Sequence, residues 1–478
     1  MLACWYPLSL HSHHTIHIYK FQSQSKLFPC KDRNMDIDTR SCVEEHSVTI
    51  WEVKRDRLTA MQHKLSDTPK LLSVAAGRAT CSIFKVPQTL INVNGKSYQP
   101  TIVSIGPFHH GEPHLEMIEE HKWRYLRQLL NRIQVKGMVL EDLLRAVQPL
   151  ELTTRECYST TIPYNTDEFI EMLVLDGCFI IELFRKIGEV VEAGDSDPLF
   201  NMPWVFSFFL RDVIRLENQI PFFVIERLFE LTKTPNSPTL VKLALDFFNK
   251  AVQRPDSILE KYHSNIKPKH LLDLLRSSFL PHDLEHSTKP DNRPPPHIIH
   301  NISKLQRSGI KLKPSEAESF LVVNFKHGVI HMPPITIDDF MCAFLLNAVA
   351  YEQCHSGCPK IFTTYVTLVD CLINTSKDVG LLCDWNIIEN YLGTEAEVAT
   401  FFNNMGKDIS FDIDVSYLAR LFDNVNRRYR SRRHVQWASL RYTYFNTPWS
   451  FISALAAFLL LILTVAQTVY TILGYTRS

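Results

Sequence analysis

The chain has 478 residues with 51 basic and 51 acidic side chains, so no overall charge drives it onto nucleic acid or toward an oppositely charged partner. Hydrophobic residues make up 45% and glycine numbers only 15, which supplies a large core and argues against long disorder. The length fits either one large core or two fused lobes.

Residues 1–45 form a leader. It opens "MLACWYPLSL", with no basic residue ahead of that apolar run and no small-residue cleavage site after it, so it does not read as a secretory signal. It is expected to be disordered, or, ahead of Met35, to be an upstream extension of the true start. The 11 cysteines, an odd number, lie in apolar runs such as "LVLDGCFII" and "DFMCAFLL" rather than at disulfide spacings. They read as reduced, mostly buried thiols of a cytosolic compartment.

Residues 46–425 read as a helical cytoplasmic domain. Apolar residues recur at helical spacing in "WEVKRDRLTAMQHKL", "HLEMIEEHKWRYLRQLLNRI", "LEDLLRAVQPLELTTREC", "DEFIEMLVLDGCFIIELFRKI" and "SYLARLFDNVNRRY". Two places alternate instead around a turn residue, "TLINVNGKSYQPTIVSIG" at Asn94-Gly95 and "FLVVNFKHGVIHMPPI" at Gly328, and predict short β-hairpins. The proline-rich "PHDLEHSTKPDNRPPPH", residues 281–297, reads as an insertion or a lobe boundary.

Residues 426–449 are a basic juxtamembrane segment containing Arg427, Arg428, Arg430, Arg432 and Arg433. Residues 450–473 then read as a transmembrane helix, since "FISALAAFLLLILTVAQTVYTIL" holds no charged side chain over about 23 residues. Tyr442, Tyr444 and Trp449 stand before it and Tyr470 and Tyr475 near its end, as interfacial aromatics do. The arginines on its near side predict a cytoplasmic N-terminal body and contact with anionic headgroups rather than nucleic acid. On that side the sequons at Asn301 and Asn374 stay unglycosylated. The expected fold is mainly α: a large helical bundle with two short β-hairpins and one C-terminal transmembrane helix.

Chemistry is advertised most openly by "IGPFHHGEPHLEMIEEHK", with His109, His110, His114 and His121 among glutamates. Gly111, Glu112 and Pro113 start a helix there. His114 and His121 are two helical turns apart, ~10.5 Å along the axis, too far to share one ion readily, whereas His109, His110 and His114 still could. On this helix Leu115, Ile118, Leu126, Leu129 and Ile133 form the core stripe, with His114, His121 and Tyr125 on its flank. A second cluster, "RDVIRLENQIPF", sets Asp212, Arg215, Glu217 and Asn218 inside an apolar run. Asp212 and Arg215 are one turn apart and able to pair. The histidine stretch is a metal site or a matter of boundary packing and partner contact; the second cluster is an acid–base site or a satisfied polar network at a helix end, with no histidine, glycine loop or nucleophile nearby to complete a mechanism. Asp176 and Glu352 are lone acids in apolar helices that need partners or raised pKa values. "CHSGC" at Cys354–Cys358 lacks the second half of a zinc motif. Phosphate-binding glycine loops and the serine elbow are missing from the sequence.

Seven blocks, "VSIGPFHHG", "MLVLDGCFIIELF", "DVIRLENQIPFFVIERLF", "HLLDLLRSSFLP", "ISKLQRSGIKLKP", "PPITIDDFMCAFLLNAVAYEQC" and the terminal apolar run, occur in that order. Together they resemble the plant proteins classed as domain of unknown function 247, from about Ser47 to Leu473. The resemblance implies membrane-associated plant proteins without an established biochemical activity, some linked to pollen–stigma self-incompatibility and others to stress or development. It assigns no catalytic residue, cofactor or metal. The expected function is a single-pass, tail-anchored recognition or scaffold module at the plasma membrane or endoplasmic reticulum, not an enzyme. Its partners are the bilayer and other proteins, with no nucleic acid. The alternative is a membrane-tethered enzyme using the His109/His110/His114 loop or the Asp212/Glu217 cluster.

Overall fold

A computed structural model describes residues 55, 56, 58, 59, 62, 81–192, 197–234, 237–263, 266–281, 298–410, 412–431 and 448–477. The chain divides into two units, Met1–Ser66 and Asp67–Ser478. In the first, the described residues are helical, and Thr59 Oγ1 donates to the Arg55 carbonyl at 3.0 Å. The leader, most of 281–297, and Arg432 and Arg433 lie outside the described residues.

The second unit is mainly helical, as periodicity predicts. It begins with α1 (Gln88–Asn94), α2 (Glu116–Ile133), α3 (Leu140–Val147), α4 (Glu151–Glu156) and α5 (Thr166–Ile187). The single helical run read across 140–157 is split by a 3-10 turn, Gln148–Leu150, where Pro149 removes a donor. α5 starts on a capping box: Asn165 Oδ1 accepts the Glu168 N–H at 2.9 Å while Glu168 reaches back to Asn165 N–H. It is buried on nearly every side from Phe169 to Lys186, so it must run through the middle of a bundle, and α2, α3, α8 and α9 pack on it.

α6 (Pro198–Asn201), α7 (Pro203–Asp212), α8 (Phe222–Thr232), α9 (Leu240–Val252), α10 (Asp256–Leu259), α11 (Leu271–Ser277) and α12 (Ile302–Arg307) follow. α13 (Asp339–Cys354) is apolar all round and correspondingly buried, in contact with α7, α11 and α14 (Ile361–Leu372). α15 (Ser376–Asp384), α16 (Glu395–Met405) and α17 (Ala419–Arg430) complete the body. One apolar core spans it from Cys81 to Val425, joined by edge-to-face rings such as Phe179 on Phe209 (5.5 Å) and Phe209 on Phe247 (6.1 Å).

Of the two predicted hairpins, the second forms. β2 (Asn324–Lys326) pairs antiparallel with β3 (Val329–Met332) through His327 and Gly328, both at positive φ (53° and 85°), the backbone a tight two-residue hairpin turn requires. β1 (Lys311–Pro314) adds to β3 in parallel, and β4 (Ile335–Ile337) pairs parallel with β5 (Ile388–Asn390), which local spacing did not predict. The first hairpin is corrected: residues 88–97 are helix, and Gly95 sits in the right-handed region (φ −46°). The stretch after it cannot pair back, because its backbone is held by side chains from elsewhere.

α18 (Pro448–Arg477) carries the apolar run Ile452–Leu473, 22 residues long and apolar enough to cross a membrane. Its large side chains, among them Leu461 and Leu463, are exposed rather than packed into the body.

Candidate functional site

The two sequence clusters meet around an irregular segment. Residues 98–106 form neither helix nor strand, yet their buried N–H groups need acceptors. Asp212, at the end of α7, supplies one: its Oδ2 accepts from Thr101, Ile102 and Val103 N–H at 2.8, 2.7 and 3.1 Å. Oδ1 takes Arg215 Nε at 3.1 Å, and the same guanidinium donates to the Ser97 carbonyl. Asn218 behaves as a piece of β-ladder, accepting from Ile105 N–H at 2.7 Å and donating to the Val103 carbonyl at 3.0 Å. Gln219 Oε1 accepts from Leu272 N–H at 3.2 Å, and its amide donates to the Val213 carbonyl at 2.7 Å. Gly106, at φ 75°, lets the chain pass the Gln219 carbonyl, which a Cβ there would meet at 2.5 Å.

Asp176, the lone acid of α5, completes this clasp. Its Oδ2 accepts from Gly106 N–H at 2.7 Å and its Oδ1 binds Lys122 Nζ at 2.6 Å. Lys122 is fully buried, and it also reaches the Ser104 carbonyl at 2.6 Å and Glu119 at 2.5 Å. Sequence reading missed both Lys122 and the burial of Tyr125, which was set on the flank of the helix. The spacing was visible, since Ile118, Lys122, Tyr125, Leu129 and Ile133 step by three and four; the charge of Lys122 masked it. Glu352, the other lone acid, is paired as well. Its Oε1 accepts Arg276 Nη2 at 2.9 Å, and its two oxygens take Phe362 and Thr363 N–H at 3.0 and 2.8 Å, satisfying the start of α14.

The histidines separate. His109 Nδ1 lies 2.7 Å from Glu112 Oε1, while Nε2 makes a long, poorly aligned contact with Glu217 Oε2 at 3.3 Å. This corrects the view that no histidine attends Glu217. Glu217 also accepts Val86 N–H at 2.7 Å and Lys85 Nζ at 2.9 Å. Burial by itself would lift this carboxyl, but His109, the Lys85 ammonium and the Val86 N–H hold it below the usual carboxylate range. His110 instead packs edge-on to Tyr164 at 5.5 Å, and His114 lies 3.3 Å from the Pro100 carbonyl. Among the described residues no group of three or more histidine, cysteine, aspartate or glutamate side chains is placed to hold a metal ion. The described cysteines are free thiols, and burial pushes Cys81 up to about 11 and Cys157 to about 12.

His270 is another residue that local reading passed over. Fully buried ahead of α11, its Nδ1 accepts Asp273 N–H at 3.2 Å, so the proton sits on Nε2, which donates to the Ser82 carbonyl at 3.0 Å. Burial holds its pKa down to about 4. The unfolded chain takes up this proton below about pH 6.5 and the folded chain does not until about 4. Stability from the neutral ring is therefore full above 6.5 and falls through that window, by about 3 kcal/mol. Urea melts of full-length protein at pH 6.5 and 4.5 should show a larger loss for wild type than for His270→Asn; parallel losses would refute the assignment.

Of the five arginines read as juxtamembrane, Arg427, Arg428 and Arg430 occupy the last turn of α17, where they favour the negative end of the helix dipole. Arg427 also pairs with Asp423.

Fold and site define a mainly helical protein whose irregular segment is clasped by buried acids and amides, ending in one apolar helix of membrane-spanning length. The chain belongs to DUF247, a family of plant proteins of unknown function whose model matches residues 83–463, a narrower span than the motifs alone outline. Two Arabidopsis thaliana proteins are similar over most of their length. UPF0481 protein At3g47200 is 37% identical, covering 86% of this chain and 90% of its own. A second UPF0481 protein, At3g02645, is 25% identical, covering 85% and 95%. No solved structure matches the chain.

Proposed function

We propose that this protein is a single-pass, tail-anchored recognition or scaffold module rather than an enzyme. The run Ile452–Leu473 holds the helical body at the cytoplasmic face of the plasma membrane or endoplasmic reticulum, and the juxtamembrane arginines lie against anionic headgroups. One observation carries the reading: Asp212, Asn218 and Gln219 direct their hydrogen-bonding capacity to the backbone of residues 101–105, 213 and 272, the work of a structural clasp.

Full-length protein should stay with membranes in alkaline carbonate while a form ending at Ser431 is released, and neither Asn301 nor Asn374 should carry glycan. Release of the full-length chain would remove the anchor, and a glycan would reverse the orientation. Proximity labelling in plant cells, against an anchor-only control, should return a reproducible partner set.

The arrangement of His109 between Glu112 and Glu217 favours one second reading, a membrane-tethered enzyme using that histidine as acid or base. It requires that His109→Ala or Glu217→Gln abolish the biological effect without lowering the melting temperature.

A further inference from the structure

Helix α5 is flanked by α2 and α3, and the three enclose an open cleft of about 710 Å3. Ile170, Val174 and Leu175 of α5 form its floor, with Trp123 of α2 and Leu140 and Leu144 of α3 as walls. Trp123 leaves 47% of its surface in solvent and Leu140 38%. Single exposed apolar residues are ordinary, but an indole and a leucine over one apolar floor make a continuous concave surface.

The lip of the cleft is acidic. Asp167 and Glu171 stand one turn apart on α5, both exposed, and neither makes a side-chain hydrogen bond or salt bridge among the described residues. Carboxylates at that spacing repel each other. Glu141 on α3 is already neutralised by Arg145. A cation placed over Asp167 and Glu171 relieves their repulsion, whereas a phosphate or an acidic peptide adds to it.

We propose that this cleft docks an amphipathic helix of a partner protein, carrying two or three large apolar side chains on one face and lysine or arginine along the edge over Asp167 and Glu171. The proposal rests on the recognition reading above and specifies the partner's chemistry. Floor and walls are all helical, with no strand edge to extend, so a ridge of side chains spaced by three and four is the shape that fills the cleft. Trp123 has the character of an anchoring contact, a large rigid ring beside an apolar pocket.

The test uses full-length protein in lipid nanodiscs and fluorescent probe helices of leucine, alanine and lysine, beside an isomer with glutamate for every lysine. The lysine helix should bind saturably, and Asp167→Lys with Glu171→Lys should weaken it about tenfold or more while the glutamate helix gains. Trp123→Ala should weaken the lysine helix as well. Both carboxylates are exposed, so the charge-reversed protein keeps its fold, with at most a small downward shift of the urea midpoint from a lysine at the positive end of α5, which that midpoint verifies. Equal binding of the two helices to wild type, or binding indifferent to the double substitution, overturns the proposal. In plant cells, a partner set that survives the double substitution unchanged sinks the cleft and leaves the recognition reading standing. A wild-type set no larger than that of the anchor alone sinks both.

Discussion

Asp212→Ala is expected to cost about 3–5 kcal/mol, close to the whole stability of a marginal fold. The substitution leaves the buried Ile102 and Val103 N–H groups without an acceptor, gives the exposed Thr101 N–H back to solvent, and removes the carboxylate facing the buried Arg215 guanidinium. Each unsatisfied buried donor carries a desolvation cost of about 1–3 kcal/mol, and partial relaxation of the segment keeps the sum below simple addition. Asp212→Asn can keep its carbonyl oxygen on the three N–H groups but turns its amide N–H toward the Arg215 guanidinium, so about 2 kcal/mol is expected. Urea unfolding of the full-length protein in detergent, followed by tryptophan fluorescence, measures both. An alanine variant within about 0.5 kcal/mol of wild type would mean the clasp does not order this segment.

The second large effect lies between α2 and α5. Lys122→Met keeps most of the side chain's volume but strands the Asp176 carboxylate in the core with the Gly106 N–H as its remaining hydrogen-bond partner, at a cost of about 3–5 kcal/mol. Adding Asp176→Asn removes the orphaned charge and keeps an acceptor for Gly106. The double variant should therefore be more stable than Lys122→Met alone, because the two residues are coupled through one buried pair. Costs that simply add would show that Lys122 and Asp176 stabilise the body independently.

Both expectations turn on acids, Asp212 and Asp176, whose chemistry was visible but whose partners were not. "LENQIPF" announced an anomaly, polar side chains in an apolar run, and the two readings kept open for it were an acid–base site and a satisfied network. Nothing local distinguished them, since Asp212 meets Thr101 across 111 residues and Glu217 meets Val86 across 131. The predicted hairpin at Asn94-Gly95 failed for the same reason. Its second half is held by Asp212, Asn218 and Asp176 and is not free to pair with the first, whereas the turn at His327-Gly328 lies between strands free to pair.

Periodicity was enough for the helical body, because burial of an apolar face repeats every turn and leaves its mark within a short window, and length without charge was enough for the terminal run. The polar clasp, the pairing of Asp176 and Glu352, the tautomer of His270 and the acidic-lipped cleft beside Trp123 were decided only by the tertiary structure. A buried charge is tolerated when its partner arrives, and that arrival depends on how distant helices pack rather than on neighbours along the chain.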